Sequence, residues 1–210
     1  MRSSLATCAN ILFPGIKFSM DPADKALYLT FDDGPNPEST PRILELLSRH
    51  EARATFFCLG KNVEKYPLIF DSILSEGHAV GNHTWSHPNG WLTNSIKYFD
   101  NVQWASKVIS SNLFRPPYGR ITPGQYLKLR KKYEIIMWTR QFADYRPEFK
   151  ADQVSLKHVI PGDILVMHDS IKSSAGTLKI LIRLLELHKH TPSIEAYNAL
   201  ANDQPDKIPY

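Results

Sequence analysis

Asp32 and Asp33 are adjacent carboxylates in the stretch Thr30-Phe31-Asp32-Asp33-Gly34-Pro35. Two like charges this close repel, and each raises the other's pKa; a nearby cation or fixed partner removes that cost. An ordinary Asp-Gly turn accounts for Asp33 and Gly34 but leaves Asp32 unexplained, because it is still on the preceding strand. Further along, His83-Thr84-Trp85-Ser86-His87 carries two histidines at i and i+4. On a helical turn that spacing puts both imidazoles on one face, where they can bind one ion. Two unrelated surface histidines would show the same spacing, so the pair gains its meaning from a third ligand. Asp33 supplies one. Two histidines and a carboxylate form an open metal site, with positions left for water and substrate. Asp33 then binds the ion and Asp32 stays free to act as a base.

These side chains need a scaffold that brings them together, and the chain between them alternates strand and helix. A first strand follows Ala26-Leu27-Tyr28-Leu29 and stops at Gly34-Pro35. Helices are predicted over 41–51 (with Thr40 as N-cap), 62–76 (broken at Pro67 and ended by Gly77), 94–111, 123–132, 153–160 and 176–188. Strands are predicted over 54–59, 78–82, 113–115, 134–139, 164–168 and 194–197. Strand and helix alternate about seven times, which argues for a mostly parallel sheet with helices outside. In such folds the chemistry collects at the C-terminal ends of the strands. Asp32 and Asp33 end the first strand, His83 and His87 follow the third, Arg115 ends the fourth, Asp144 follows the fifth, and His168 and Asp169 end the sixth.

Composition narrows the function classes. The chain has 210 residues, 42% of them apolar, which suits one domain over 1–210 with 1–25 as an N-terminal extension. The formal net charge of +4 comes from scattered Lys and Arg, dense only over 128–132, so no nucleic-acid stripe is expected. Of the two cysteines, Cys58 lies in a run that reads as a buried strand, and nothing requires a disulfide with Cys8. No run approaches the roughly 18 apolar residues of a membrane helix. The start is not a clean signal peptide: Thr7, Asn10 and Pro14 interrupt its apolar stretch, and Leu5-Ala6-Thr7-Cys8 is a poor lipoprotein box. The expectation is a soluble monomer without stable membrane insertion, either cytoplasmic or exported by an atypical leader.

The four motifs, taken in order, carry a resemblance. Thr30-Phe31-Asp32-Asp33-Gly34-Pro35, His83-Thr84-Trp85-Ser86-His87, Arg115-Pro116-Pro117-Tyr118-Gly119 and Leu165-Val166-Met167-His168-Asp169 resemble those of the polysaccharide deacetylase family. This is carbohydrate esterase family four, also described as chitooligosaccharide deacetylase-like. The resemblance runs from about residue 27 to residue 169. It implies a distorted (β/α) barrel of about seven parallel strands and a divalent cation, zinc first, on Asp33, His83 and His87. It also implies Asp32 as general base, Arg115 as the residue that holds Asp32, and His168 as the general acid that protonates the leaving amine. Asp144 matches the acid that orients His168, and the backbone N–H of Tyr118 matches an oxyanion donor. Val166 matches a pocket wall for the acetyl methyl, with Pro116, Tyr118 and Tyr145 as further substrate contacts.

The chain departs from the family pattern in one motif. An Asp-x-x-Asp-Trp arrangement is common after the fifth strand, and here Gln141 replaces the first Asp and Tyr145 the Trp, while Asp144 remains. Asp169 is read as a cap, Trp85, Trp91 and Tyr118 as sugar-stacking walls or ordinary packing, with packing or loop rigidity favoured for the two tryptophans, and His50, His78, His188 and His190 as structural or solvent-facing. The implied activity is removal of N-acetyl groups from glycans containing N-acetylglucosamine, peptidoglycan or chitooligosaccharide among them. An O-acetyl polysaccharide esterase, acetyl xylan esterase-like, and a catalytically weak glycan-binding protein are the competing readings. An intact pair of His168 and Asp144 favours the amide reaction.

Overall fold

A computed structural model describes residues 14–187 and 194–195. Among the described residues nine strands form one sheet: β1 (Ile16–Lys17), β2 (Leu27–Asp32), β3 (Thr55–Cys58), β4 (Ala79–Asn82), β5 (Leu113–Phe114), β6 (Glu134–Ile136), β7 (Arg140–Gln141), β8 (Ile164–His168) and β9 (Ile194–Glu195). Eight of them run in the order β1-β6-β5-β4-β3-β2-β8-β7, and β9 pairs with the start of β2. All pairings are parallel. Helices α1 (Thr40–Arg49), α2 (Gly60–Lys65), α3 (Pro67–Ser75), α4 (Ser95–Ser106), α5 (Pro123–Leu129) and α6 (Ser174–Leu187) connect them. The result is the expected parallel-stranded, distorted barrel, with two more strands than expected. No helix among the described residues is long and apolar enough to cross a membrane.

Alternation along β2 and β8 creates the two sides that the site needs. Leu29, Phe31, Leu165 and Met167 point outward into the main core, against Ile43, Leu47, Leu181 and Leu184 of α1 and α6. Each such side chain contributes about 1.5–3 kcal/mol on burial. Tyr28 and Ile164 point inward, where Ala26, Phe57, Leu113 and Ile136 fill the barrel floor. Thr30, Asp32, Val166 and His168 share that inward side one and two layers higher. Strand register puts Asp32 beside both Phe57 and His168, Cys58 beside Asn82, and Asn82 beside Phe114. The strand ends carrying Asp32, His83, Arg115 and His168 therefore finish on one rim.

Several expectations are corrected. The segment 153–160 is not a helix: a 3-10 turn over Ala151–Gln153 is followed by irregular chain up to β8. Arg140 reaches into it, with Nη1 donating to the Ser155 carbonyl and Nη2 to that of His158, and Val159 N–H turns back to Leu156 O. The β-branched Val154 and Val159 and the following Pro161 also weaken a helix. The strand expected over 134–139 ends early, at Ile136, as β6, and β7 begins beyond it at Arg140; Arg115 takes the carbonyls of Ile136 and Met137 at 3.0 Å each. Helix α4 stops at Ser106, and Ser111 Oγ donates to Val80 O at 2.6 Å, which ties the following turn to β4. Thr40 lies inside α1 and its hydroxyl donates to Asp169. The expected break at Pro67 is present, between α2 and α3. Cys8, His188, His190 and the last residues of the 194–197 strand lie outside the described residues.

Candidate active site

Asp33 sits just past the end of β2 in the left-handed backbone region, at φ 83°, with its carbonyl oxygen held by the Asn62 side chain at 2.6 Å. Gly34 follows because nothing larger fits. A Cβ there would fall 1.8 Å from Asp169 Oδ2. Asp169 locks this turn to its surroundings. Its N–H donates to Asp32 O (3.0 Å), its carbonyl accepts from Ser39 Oγ (2.7 Å) and its Oδ2 accepts from Thr40 Oγ1 (2.7 Å). Burial pushes the Asp169 carboxyl up to about 7, against the bond from Thr40. It buttresses the turn and does more than cap the next segment.

The histidine pair does not stand on a helical turn. After β4 the chain enters a loop in which Thr84 (φ 70°) and His87 (φ 63°) are both left-handed. Thr84 N–H donates to Asn82 Oδ1, and His87 N–H to Thr84 Oγ1. Left-handed non-glycine backbone of this kind is costly and collects at functional sites. The loop still brings the imidazole centroids to 5.1 Å. His83 Nδ1–H donates to Arg115 O at 2.7 Å; since a carbonyl only accepts, the tautomer is fixed and Nε2 keeps a lone pair.

Three ligand atoms converge. Asp33 Oδ1 lies 3.2 Å from His87 Nε2 and 3.7 Å from His83 Nε2, and one ligand atom from each residue falls within 4.8 Å of the others. Asp33 Oδ1 is buried yet makes no hydrogen bond. Burial lowers both imidazoles to about 4, so they stand neutral, as metal ligands must. Burial also raises Asp33. A buried carboxylate oxygen without a hydrogen-bond partner, facing two neutral imidazoles, fits a divalent cation.

Asp32 has a different environment. Arg115 is completely buried, and its Nη1 donates to Asp32 Oδ1 at 2.7 Å and to Thr30 Oγ1 at 2.6 Å. The guanidinium lies over the Phe57 ring at 4.0 Å, and its other donors are the ones spent on the Ile136 and Met137 carbonyls. Burial alone would raise the Asp32 carboxyl. Arg115, foremost among its positive neighbours, outweighs that effect and holds it below the usual carboxylate value.

His168, the register partner of Asp32, has its own carboxylate. Its Nδ1 lies 2.6 Å from Asp144 Oδ1, its N–H donates to Asp144 Oδ2 at 2.8 Å, and the Thr177 hydroxyl donates to that same oxygen. Burial would lower the imidazole, but the bond and charge of Asp144, with Asp32 and Asp33 behind them, raise it to about 9. Tyr145 packs edge-on against the His168 ring at 4.9 Å, and Tyr118 against His87 at 4.5 Å.

These groups open into a cavity of about 470 Å³, lined by Asp32, Asp33, His83, His87, Pro116, Tyr118, Arg120, Trp138, Gln141, Tyr145, His168, Ser170 and Lys172. Pro116, Tyr118 and Tyr145 are therefore at its surface. Val166 is not. It is buried one layer below, in register with Thr30 and Gln141, because a side chain two residues before His168 points inward at a deeper level. Arg115 and Asp144 hold other residues from behind the cavity wall. Sequence reasoning missed Thr30, Asn62, Thr177 and the buttress role of Asp169. Thr30 alone had a local signal, since it lies two residues before Asp32 on the same strand face.

Fold and site together define a class: parallel-stranded α/β barrels whose metal-type site lies at the C-terminal rim. Within that class the chain belongs to the polysaccharide deacetylase family, whose model matches residues 19–137, more than half of its length. It is similar to a peptidoglycan-N-acetylglucosamine deacetylase of Bacillus cereus, 37% identical over 161 residues, which are 71% of this chain and 58% of that protein. It is also similar to a chitooligosaccharide deacetylase of Azorhizobium caulinodans, 34% identical over 158 residues, covering 69% of this chain and 73% of that one. Among solved structures, a peptidoglycan N-acetylglucosamine deacetylase in complex with an N-oxidanyl-benzamide superposes with a TM-score of 0.82 at 30% identity. That match covers 91% of this chain and 94% of the other. The chain spans just over half the length of the Bacillus cereus relative.

Proposed function

We propose that this chain is a metal-dependent hydrolase that removes N-acetyl groups from glycans containing N-acetylglucosamine, with peptidoglycan ahead of chitooligosaccharide. Family membership and the named activities of the relatives support the reaction class. The observation that carries the amide reading is the bond between His168 and Asp144. An amine leaves as a poor anion and needs a proton, and a histidine raised to about 9 carries one at neutral pH.

Asp33, His83 and His87 would hold the cation, with zinc the first choice for a ligand set of two imidazoles and a carboxylate. When bound, such an ion supplies a Lewis acid for water and for the acetyl oxygen. Asp32 takes a proton from the attacking water; it is ionised at neutral pH, and Arg115 fixes its direction. The backbone N–H of Tyr118 donates to the oxygen that gains charge as the water oxygen bonds to the acetyl carbon. His168 then gives its proton to the glucosamine nitrogen as the C–N bond breaks, leaving acetate and a free amine. Asp144 keeps Nδ1 of His168 occupied, so that Nε2 delivers the proton.

The test measures acetate release by the zinc-loaded protein from N-acetylated peptidoglycan fragments, chitooligosaccharide and an O-acetylated xylan. Release from the amides, lost on chelation and restored by zinc, is expected. Release from the xylan alone would replace this reading by the esterase, and release from none, with glycan binding retained, by the binding protein.

A further inference from the structure

One exposed aromatic, in contact with the cavity-lining Arg120, is held too firmly for a surface accident. Trp91 is 62% exposed. It does not pack into the core, unlike Trp85, which does. Yet its ring is fixed at both ends. Nε1–H donates to Ile121 O at 3.3 Å, and the Arg120 guanidinium lies over the ring at 5.0 Å. The loop beneath is built for this contact. Gly90 lies so close to the 120–121 backbone that a Cβ would fall 2.2 Å from Arg120 O, and buried Gln125 donates to Gly90 O at 3.0 Å. Trp91 N–H is held in turn by Asn89 Oδ1 at 3.0 Å.

Arg120 joins this ring to the cavity, since it lines the cavity while stacking on Trp91. It has no ion-pair partner among the described residues, and neither has Lys172, also in the cavity lining. The acids of the site are already committed: Asp32 to Arg115, Asp144 to His168, and Asp33 to the histidine pair. Two uncommitted cations at the cavity edge make it complementary to an anion. Guanidinium groups favour carboxylates, which they grip in the plane of their fork. An anchored indole offers a flat apolar face of low conformational cost, suited to the C–H face of a pyranose ring.

We propose that Trp91 and Arg120 form a second sugar subsite beside the catalytic cavity, and that it takes a neighbouring pyranose bearing a carboxylate. The inference rests on the glycan deacetylase reading above and deepens it. An alternating strand of N-acetylglucosamine and N-acetylmuramic acid presents such a carboxylate on every second ring wherever the lactyl group carries no stem peptide. Chitooligosaccharide presents none.

The experiment compares a muramic-acid-containing tetrasaccharide with free lactyl carboxylates against chitotetraose. Specificity is read as kcat/KM of the zinc-loaded enzyme. Binding is read separately, by calorimetry on Asp32→Asn without turnover. The expected result is a preference for the carboxylated strand that Arg120→Gln reduces about tenfold or more, chiefly through KM. Arg120→Lys recovers part of it, and added salt weakens it. Trp91→Ala weakens binding of both strands. Loss of all amide turnover with Arg120-dependent binding intact would overturn the reaction and leave the subsite standing. A strand preference untouched by Arg120→Gln, or binding untouched by Trp91→Ala, would overturn the subsite while the reaction stands.

Discussion

A histidine as buried as His168 should lose its proton easily, because desolvation disfavours the imidazolium. Asp144 reverses that, at 2.6 Å and with its second oxygen already held by His168 N–H and Thr177. The folded value of about 9 lies above the ordinary 6.5, so the stabilisation it represents is fully present below 6.5 and is lost as pH rises toward 9. The same proton serves catalysis, and kcat on amides should fall on the alkaline side. A cation held at Asp33 cancels that residue's share of the shift, which sets the limb at or below about 9. Asp144→Asn should move the limb down and lower kcat for amides more than for activated esters, whose leaving groups need less protonation. Equal losses on both, with an unmoved pH profile, would reduce Asp144 to a loop support. The residue scale was the most legible in the sequence. Asp32, Asp33, Arg115 and His168 each sit at or next to a strand end, where parallel sheets concentrate chemistry. Val166 misled because period two gives the facing side of the sheet but not the depth.

Elements were legible where their pattern was local. The strands β2, β3 and β8 are apolar runs with sharp stops, and the break at Pro67 follows from proline alone. The histidine loop was read as a helical turn because i, i+4 spacing is ambiguous. Only the left-handed Thr84 and His87 reveal the true path, and nothing local forces them. The lost helix at 153–160 and the early end of β6 have one kind of cause: long arginine side chains, Arg140 and Arg115, capture carbonyls from other elements. At this scale the turn after β2 makes a sharp prediction. Gly34→Ala drives a methyl into Asp169, an overpacking of about 1–3 kcal/mol. Thermal unfolding should drop by roughly 2–12 °C, with weaker zinc binding. An unchanged melting temperature and zinc affinity would mean that Asp169 does not brace this turn.

The whole molecule joins what the sequence keeps apart. Arg115 meets Asp32, His168 meets Asp144, and Thr177 meets Asp144 only because parallel strands deliver distant segments to one rim. The alternation of strand and helix made that rim predictable. It could not reveal that Asn62 and Thr177 would close their networks, since both come from helices remote in sequence from the residues they hold. The account's central claim is a division of labour between neighbours: Asp33 holds the ion and Asp32 moves the proton. Asp32→Asn tests it most directly, with zinc content and acetate release from an N-acetylated glycan measured on one preparation. The expected outcome is zinc content equal to that of the unsubstituted protein, and turnover reduced beyond the roughly 10²–10⁴-fold usual for losing a general base, because the same side chain also orients the water. A variant that loses its zinc, or keeps both zinc and turnover, would contradict the claim.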